Sequence, residues 1–197
     1  MTIPATAYAL LGLLSFDREL SGYDLKKWAD NSLHFFYWSP SLSHIYAELR
    51  RLDRLGYVSP RVEPRGELRS RRLYRITTSG STALEAWVRD SPVEAPVLKH
   101  SVALRIWLGH LIGIDSVRLL VAEHVAATER LILDIRTAYA HAPKDAPNHF
   151  SAEVVAWADE LHTAELTAFA HLLERLDATA APPEKPRRVA RRANRAR

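Results

Sequence analysis

Ser39-Pro40-Ser41-Leu42-Ser43-His44-Ile45-Tyr46-Ala47-Glu48-Leu49-Arg50-Arg51-Leu52-Asp53-Arg54-Leu55-Gly56 is the stretch that decides the fold of this chain. Ser39 before Pro40 has the form of an N-cap followed by proline at the first helical position, and Gly56 marks the far end. The pattern predicts a short, sharply bounded helix. Leu42, Ile45, Leu49 and Leu52 recur at helical intervals and make one stripe for a core. The other face offers Ser43, His44, Ala47, Arg50, Arg51 and Arg54. A hydroxyl, an imidazole, a small residue and three guanidinium groups suit base edges and phosphates in a major groove. Taken alone, the same helix also reads as an ordinary solvated face.

The segment beyond Gly56 favours the DNA-facing reading. Tyr57-Val58-Ser59 and Leu73-Tyr74-Arg75-Ile76-Thr77 alternate as two strands, while Pro60, Pro64 and Arg65-Gly66 punctuate the connection. Thr77-Thr78-Ser79-Gly80 then caps a helix with Ala83, Leu84, Trp87 and Val88 on its apolar side. A helix, two strands around a basic turn and a further helix is the order of a winged helix-turn-helix. From Arg50 to Arg75 nine arginines stand against three acids, Asp53, Glu63 and Glu67. Such an excess displaces counterions from a phosphate backbone and makes binding salt-dependent. Arg69, Arg71 and Arg72 sit at the expected wing tip, where phosphates and a narrow minor groove are within reach.

Upstream, Pro4 starts a helix through Leu14 that is apolar almost all round, as a core helix is. Ser21-Gly22-Tyr23-Asp24 reads as a capping box ahead of Leu25-Lys26-Lys27-Trp28-Ala29, the helix that would cross the DNA backbone. The aromatic run Phe35-Phe36-Tyr37-Trp38 reads as a set of plugs between helices.

Ser91-Pro92-Val93-Glu94-Ala95-Pro96 is the clearest boundary, because closely spaced prolines stop one helix and pre-set another. Beyond it a long helix is expected from Ser116 to about Tyr139, with Val117, Leu120, Val121, His124, Thr128, Leu131 and Ile135 on one stripe. A return helix capped by Ser151 runs to Leu176, and Val154, Val155, Ala158, Leu161, Leu166, Phe169, Leu172 and Leu173 give it a wide apolar side. Two such helices make a thin core, so a two-fold homodimer is the expected way to bury them; an intramolecular hairpin packed on the first domain is the alternative. From Pro182 onward, proline and then repeated arginine mark a disordered basic tail that would add salt-sensitive affinity for any DNA.

The expected organisation is therefore residues 1–90 as a DNA-binding domain, 91–181 as a helical dimerisation and effector domain, and 182–197 as the tail. Net charge divides accordingly, at +3, −5 and +6. At 197 residues with 47% hydrophobic content the chain can bury a sizeable core. Absence of cysteine excludes disulfides, thiolate metal sites and cysteine nucleophiles, and suits a reducing compartment. The Ala5–Leu14 run is too short for a membrane span and lacks a basic leader, so a soluble, cytoplasmic protein is expected. No glycine-rich nucleotide loop, zinc-protease helix or nucleophile elbow occurs. His141 with His149, and His162 with His171, lack the spacing that places two imidazoles on one metal, and Asp159, Glu160 and Glu165 read as a solvated face. Neither catalysis, cofactor nor metal is expected.

Ala9-Leu10-Leu11-Gly12-Leu13-Leu14, Ser21-Gly22-Tyr23-Asp24-Leu25, Ile45-Tyr46-Ala47-Glu48-Leu49-Arg50-Arg51-Leu52 with Gly56-Tyr57-Val58, and Tyr74-Arg75-Ile76-Thr77 with Gly80, in that order and spacing, closely resemble the PadR family of bacterial transcriptional regulators. The match covers about the first ninety residues; the remainder looks like the longer, virulence-activator-type helical domain. The resemblance implies a homodimer with interlocked C-terminal helices, a recognition helix in the major groove and repression that a small molecule relieves in some members. Many members carry proline where this chain has Ala47.

The expectation is thus a mainly α protein with a small β-hairpin wing, a winged helix-turn-helix plus a C-terminal helical dimerisation domain. Its partner is double-stranded DNA carrying an inverted-repeat operator, with half-sites about one helical turn apart. The DNA-contacting set is Ser41, Ser43, His44, Tyr46, Ala47, Arg50, Arg51 and Arg54 on the helix, with Arg69, Arg71 and Arg72 on the wing. Trp28, Trp107 and Trp157 are candidates to line a cavity for flat apolar or phenolic effectors, packing being the alternative. A protein-interaction adaptor built on the same elements is the competing function, and a salt-titrated DNA-binding assay separates the two.

Overall fold

The computed structural model describes residues 3–16, 18–65, 69–142 and 149–180. The chain packs as two compact units, Met1–Lys99 with Arg130–His162, and His100–Glu129 with Thr163–Arg197.

The first unit opens with α1 (Ala5–Leu14), which follows Pro4 and buries Ala7, Tyr8, Leu10, Leu11, Leu13 and Leu14, as an all-round apolar helix must. Next come β1 (Leu20–Ser21) and α2 (Gly22–Asp30). The capping box is present: Ser21 Oγ accepts from Asp24 N at 3.3 Å, and Asp24 Oδ2 accepts from Ser21 N at 2.9 Å. A 3-10 turn, Leu33–Phe35, leads to α3 (Leu42–Arg54), followed by β2 (Val58–Arg65), β3 (Arg69–Ile76) and α4 (Thr78–Asp90). Ala7, Leu10, Leu11, Leu14, Leu25, Ala29, Ile45, Leu49, Leu52, Val58 and Tyr74 form one core, and burying each large aliphatic side chain there contributes about 1.5–3 kcal/mol. Tyr8 stacks on Trp87 at 4.7 Å, holding α4 against α1. This is a winged helix-turn-helix with a small antiparallel sheet.

Several boundaries differ from the sequence reading. The N-cap of α3 is Ser41, whose Oγ accepts from His44 N, and not Ser39. Ser39 instead links Lys26 and Asp30 at the end of α2. Leu42 becomes the first helical residue and is exposed, leaving Ile45, Leu49 and Leu52 as the buried stripe. Pro60 and Pro64 lie inside β2 and do not break it, because the sheet order β1-β3-β2 makes β2 an edge strand whose outer backbone needs no ladder donor. β1 carries no sequence signal; two residues become a strand only because Leu20 and Ser21 pair with Tyr74 and Leu73. Of the aromatic run only Phe35 is a plug, buried with Ile135, Val155 and Ala158, whereas Phe36, Tyr37 and Trp38 are exposed.

The second unit contains α5 (Ser101–Trp107), whose N-cap is His100. Two long helices, α6 (Ile114–His141) and α7 (His149–Ala180), each contribute a segment to both units. Both start two residues earlier than the sequence reading has them, and α7 continues past Leu176. Within the second unit Val117, Val121 and Phe169 are buried, with Val102, Ile106, Val125 and Leu172 packed around them. Arg118 joins Asp177 at 2.7 Å and Asp115 at 2.8 Å. On α7, Val154 and Leu161 are exposed and not part of the buried side. Among the described residues no helix is long and apolar enough to cross a membrane. The basic tail lies outside the described residues.

Candidate nucleic-acid interface

The inner face of α3 is committed to the core, so its outer face is free to meet a partner. Ser43, His44, Tyr46, Ala47, Arg50, Arg51 and Arg54 are all exposed along it. Ser41 is the cap and shares a 3.0 Å hydroxyl contact with Ser43. The His44 ring meets Trp38 edge-on at 5.3 Å, which orients the imidazole at the N-terminal end of the helix. Tyr46 lies over Gly22, where an added Cβ would sit 2.6 Å from its ring, so this side chain spaces α2 from α3 as well as facing solvent.

Glu48 is the residue that sequence reasoning missed. It lies on α3 between the two faces and is buried, with Arg51 Nε 3.3 Å and His44 Nε2 3.7 Å from its carboxylate oxygens. Its Oε2 has no hydrogen bond among the described residues. A carboxylate at this depth draws the two cationic or protonatable groups toward the helix surface and away from a fully extended reach. By contrast, Arg50 and Arg54 form no ion pair with a described residue. They are the guanidinium groups of α3 available to a phosphate or a base edge.

The wing arginines divide differently. Arg72 Nη2 contacts Asp53 Oδ2 at 3.0 Å and its guanidinium lies 5.5 Å from the Tyr74 ring centre, so it ties β3 to the end of α3 while staying half solvated. Arg71 pairs with Asp24 and places Nη2 3.3 Å from Ser21 Oγ, on the capping box of α2. Arg61 pairs with Glu19. Pairing of β1 with β3 is what brings Glu19 and Asp24 to these arginines, compensating part of the charge excess counted along the sequence. The side chain of Arg69, and the tip beyond it, lie outside the described residues. Of the three tryptophans that the sequence offers to an effector, Trp28 is half-buried between Phe16, at 5.3 Å, and Arg18, at 5.7 Å, while Trp107 and Trp157 are exposed.

Burial pushes the Asp24 carboxyl up, but hydrogen bonds from Ser21 and the Arg71 guanidinium outweigh it and hold the group below its ordinary value of 3.8. A carboxylate depressed on folding contributes stability that is present above that ordinary value and lost as pH falls through the lower folded one. Asp24→Asn is therefore expected to cost about 1 kcal/mol at neutral pH and to flatten the loss of stability below pH 3.8. Urea titrations at neutral and acid pH check this; an unchanged acid limb would assign the acid sensitivity to other carboxylates.

Residues 10–86 match the transcriptional regulator PadR-like family. A stretch of 91 residues is 37% identical to the negative transcriptional regulator PadR of Bacillus subtilis, covering 46% of this chain and 49% of that protein. The matched stretch thus spans about half the length of this curated relative. The crystal structure of Bacillus subtilis PadR in complex with operator DNA superposes with a TM-score of 0.74 at 24% identity, over 88% of this chain and 100% of that one. The same regulator in complex with p-coumaric acid gives 0.68 at 24% identity, over 88% and 99%. These similarities extend the winged-helix likeness through the C-terminal helices.

Proposed function

We propose, from the match of residues 10–86 to the transcriptional regulator PadR-like family, that this chain is a dimeric, sequence-specific DNA-binding repressor whose binding a small molecule relieves. The observation that carries this reading is the two-sided character of α3, with Ile45, Leu49 and Leu52 fully buried and Arg50 and Arg54 exposed without an acidic partner among the described residues. Residues 1–90 act as the reader and 91–181 as the dimerisation and effector part, working in the cytoplasm. Ser43, His44, Ala47 and Arg50 face bases, while Arg51, Arg54, Arg69, Arg71 and Arg72 serve phosphates or wing geometry. An inverted repeat is the operator a two-fold protein requires. Support for an effector comes from the p-coumaric acid complex of the Bacillus regulator, and for repression from its name.

Sequencing genomic fragments retained by the full chain supplies the operator. On the fragment recovered, Arg50→Ala is expected to weaken binding by about 1–3 kcal/mol without lowering the melting temperature. Equal affinity at equal stability would mean that α3 does not dock through its outer face. Binding that is indifferent to salt and sequence would favour the adaptor reading.

A further inference from the structure

We propose that His100, His124 and Glu165 form a binding site for a divalent transition-metal ion of the zinc class. All three belong to the second compact unit, on three separate segments: His100 caps α5, His124 lies on α6 and Glu165 on α7. Glu165 Oε1 receives both imidazoles, 2.7 Å from His100 Nε2 and 3.0 Å from His124 Nε2. The rings meet edge to face at 5.0 Å, and Phe169 closes the apolar side at 5.3 Å from one and 4.5 Å from the other. Side-chain exposures of 18%, 18% and 24% leave the donors held by packing yet reachable from solvent.

Two imidazoles and a carboxylate are the donor set that zinc, cobalt and nickel select, while magnesium and calcium prefer all-oxygen shells. Tetrahedral bonds of about 2.0–2.2 Å separate ligand atoms by roughly 3.3 Å, so each of these two contacts need open by only a few tenths of an ångström. A single hydrogen bond would anchor either histidine; convergence of both Nε2 atoms on one oxygen is what an ion uses. Three protein donors leave a fourth position for water or a small ligand.

Coordination has a consequence for α5. His100 Nδ1 accepts from Ala103 N at 3.1 Å, so its proton resides on Nε2 and is donated to Glu165. Binding an ion through Nε2 requires the other tautomer: that proton leaves Nε2, one is taken up at Nδ1, and the lone pair that Ala103 used is gone. Metal uptake and the N-cap of α5 therefore compete, and the ion links helix α5 to the α6 and α7 segments at the expense of its own first turn.

Chelator-treated full-length chain, titrated with Zn²⁺ or Co²⁺ alone, tests the proposal. Expected results are one ion per chain, visible tetrahedral d–d bands with Co²⁺, no competition by Mg²⁺, and faster amide exchange at Ala103 on saturation with Zn²⁺. Glu165→Gln and His124→Ala should each weaken Zn²⁺ binding by about 100-fold or more, beyond the roughly 10–100-fold typical of outer-shell changes. His171→Ala, an exposed histidine on the same helix, should leave affinity unchanged. Melting of each variant without metal reports its folding, and the near-isosteric Glu165→Gln carries the test if His124→Ala does not fold. Absent binding, affinity indifferent to Glu165→Gln, or unchanged exchange at Ala103 would overturn the site.

Discussion

Trp157→Glu combined with Leu161→Glu is expected to give a chain that sediments as a monomer at micromolar concentration and binds its recovered DNA at least about 100-fold more weakly, with helix content unchanged. Phe150, Val154, Trp157 and Leu161 recur at helical spacing along α7, and they are 69%, 37%, 51% and 46% exposed. Four large apolar side chains in one exposed row are costly to leave in water, and in the proposed dimer a second copy related by a two-fold axis would cover the same row on both chains. Charges placed there would face each other across that axis. Each reader would then meet its half-site alone, which forfeits the effective concentration that links two half-sites. A dimer that survives the double change would assign the partner surface elsewhere.

Gly80→Ala is expected to destabilise the fold by about 3 kcal/mol or more, read from urea midpoints. A Cβ at this position would lie 2.1 Å from the backbone oxygen of Tyr57 and 3.0 Å from Ile76 Cγ1. The oxygen cannot retreat freely, because it accepts from Thr77 N at 3.0 Å, and Gly80 N is itself held by Thr77 Oγ1 at 3.1 Å. Accommodation would have to lift α4 from the base of the wing and disturb the stack of Trp87 on Tyr8. Gly12 on α1 provides the contrast: an added Cβ there meets nothing within 4 Å, so Gly12→Ala should be neutral or stabilise by about 0.5–1 kcal/mol through helix propensity. Equal stability of the two variants would remove the steric argument.

Local signals carried much of the architecture. The Ser21–Asp24 capping box, the Thr77 cap of α4 and the core stripe of Ile45, Leu49 and Leu52 depend on residues within a few positions of one another, and all are present. Charge was less legible. A count from Arg50 to Arg75 registers three acids, but Glu19, Asp24 and Glu48 also bear on the arginines of this region. Arg71 thereby becomes a partner of the α2 cap, while Arg50 and Arg54 emerge as the α3 cations without a described acidic partner.

By itself, then, the sequence determined where the helices of the winged domain begin and end to within two or three residues, which face of α3 enters the core, and the family whose pattern residues 10–86 match. These rest on periodicity, caps and ordered motifs, which are interactions between near neighbours along the chain. Only the tertiary structure decided that a two-residue strand joins the wing, which arginines are neutralised, and that His100 and His124 converge on Glu165 across separations of 65 and 41 residues. Electrostatic and hydrogen-bonded sites depend on distance in space, and no spacing rule along a chain reports a distance that the packing of separate helices creates.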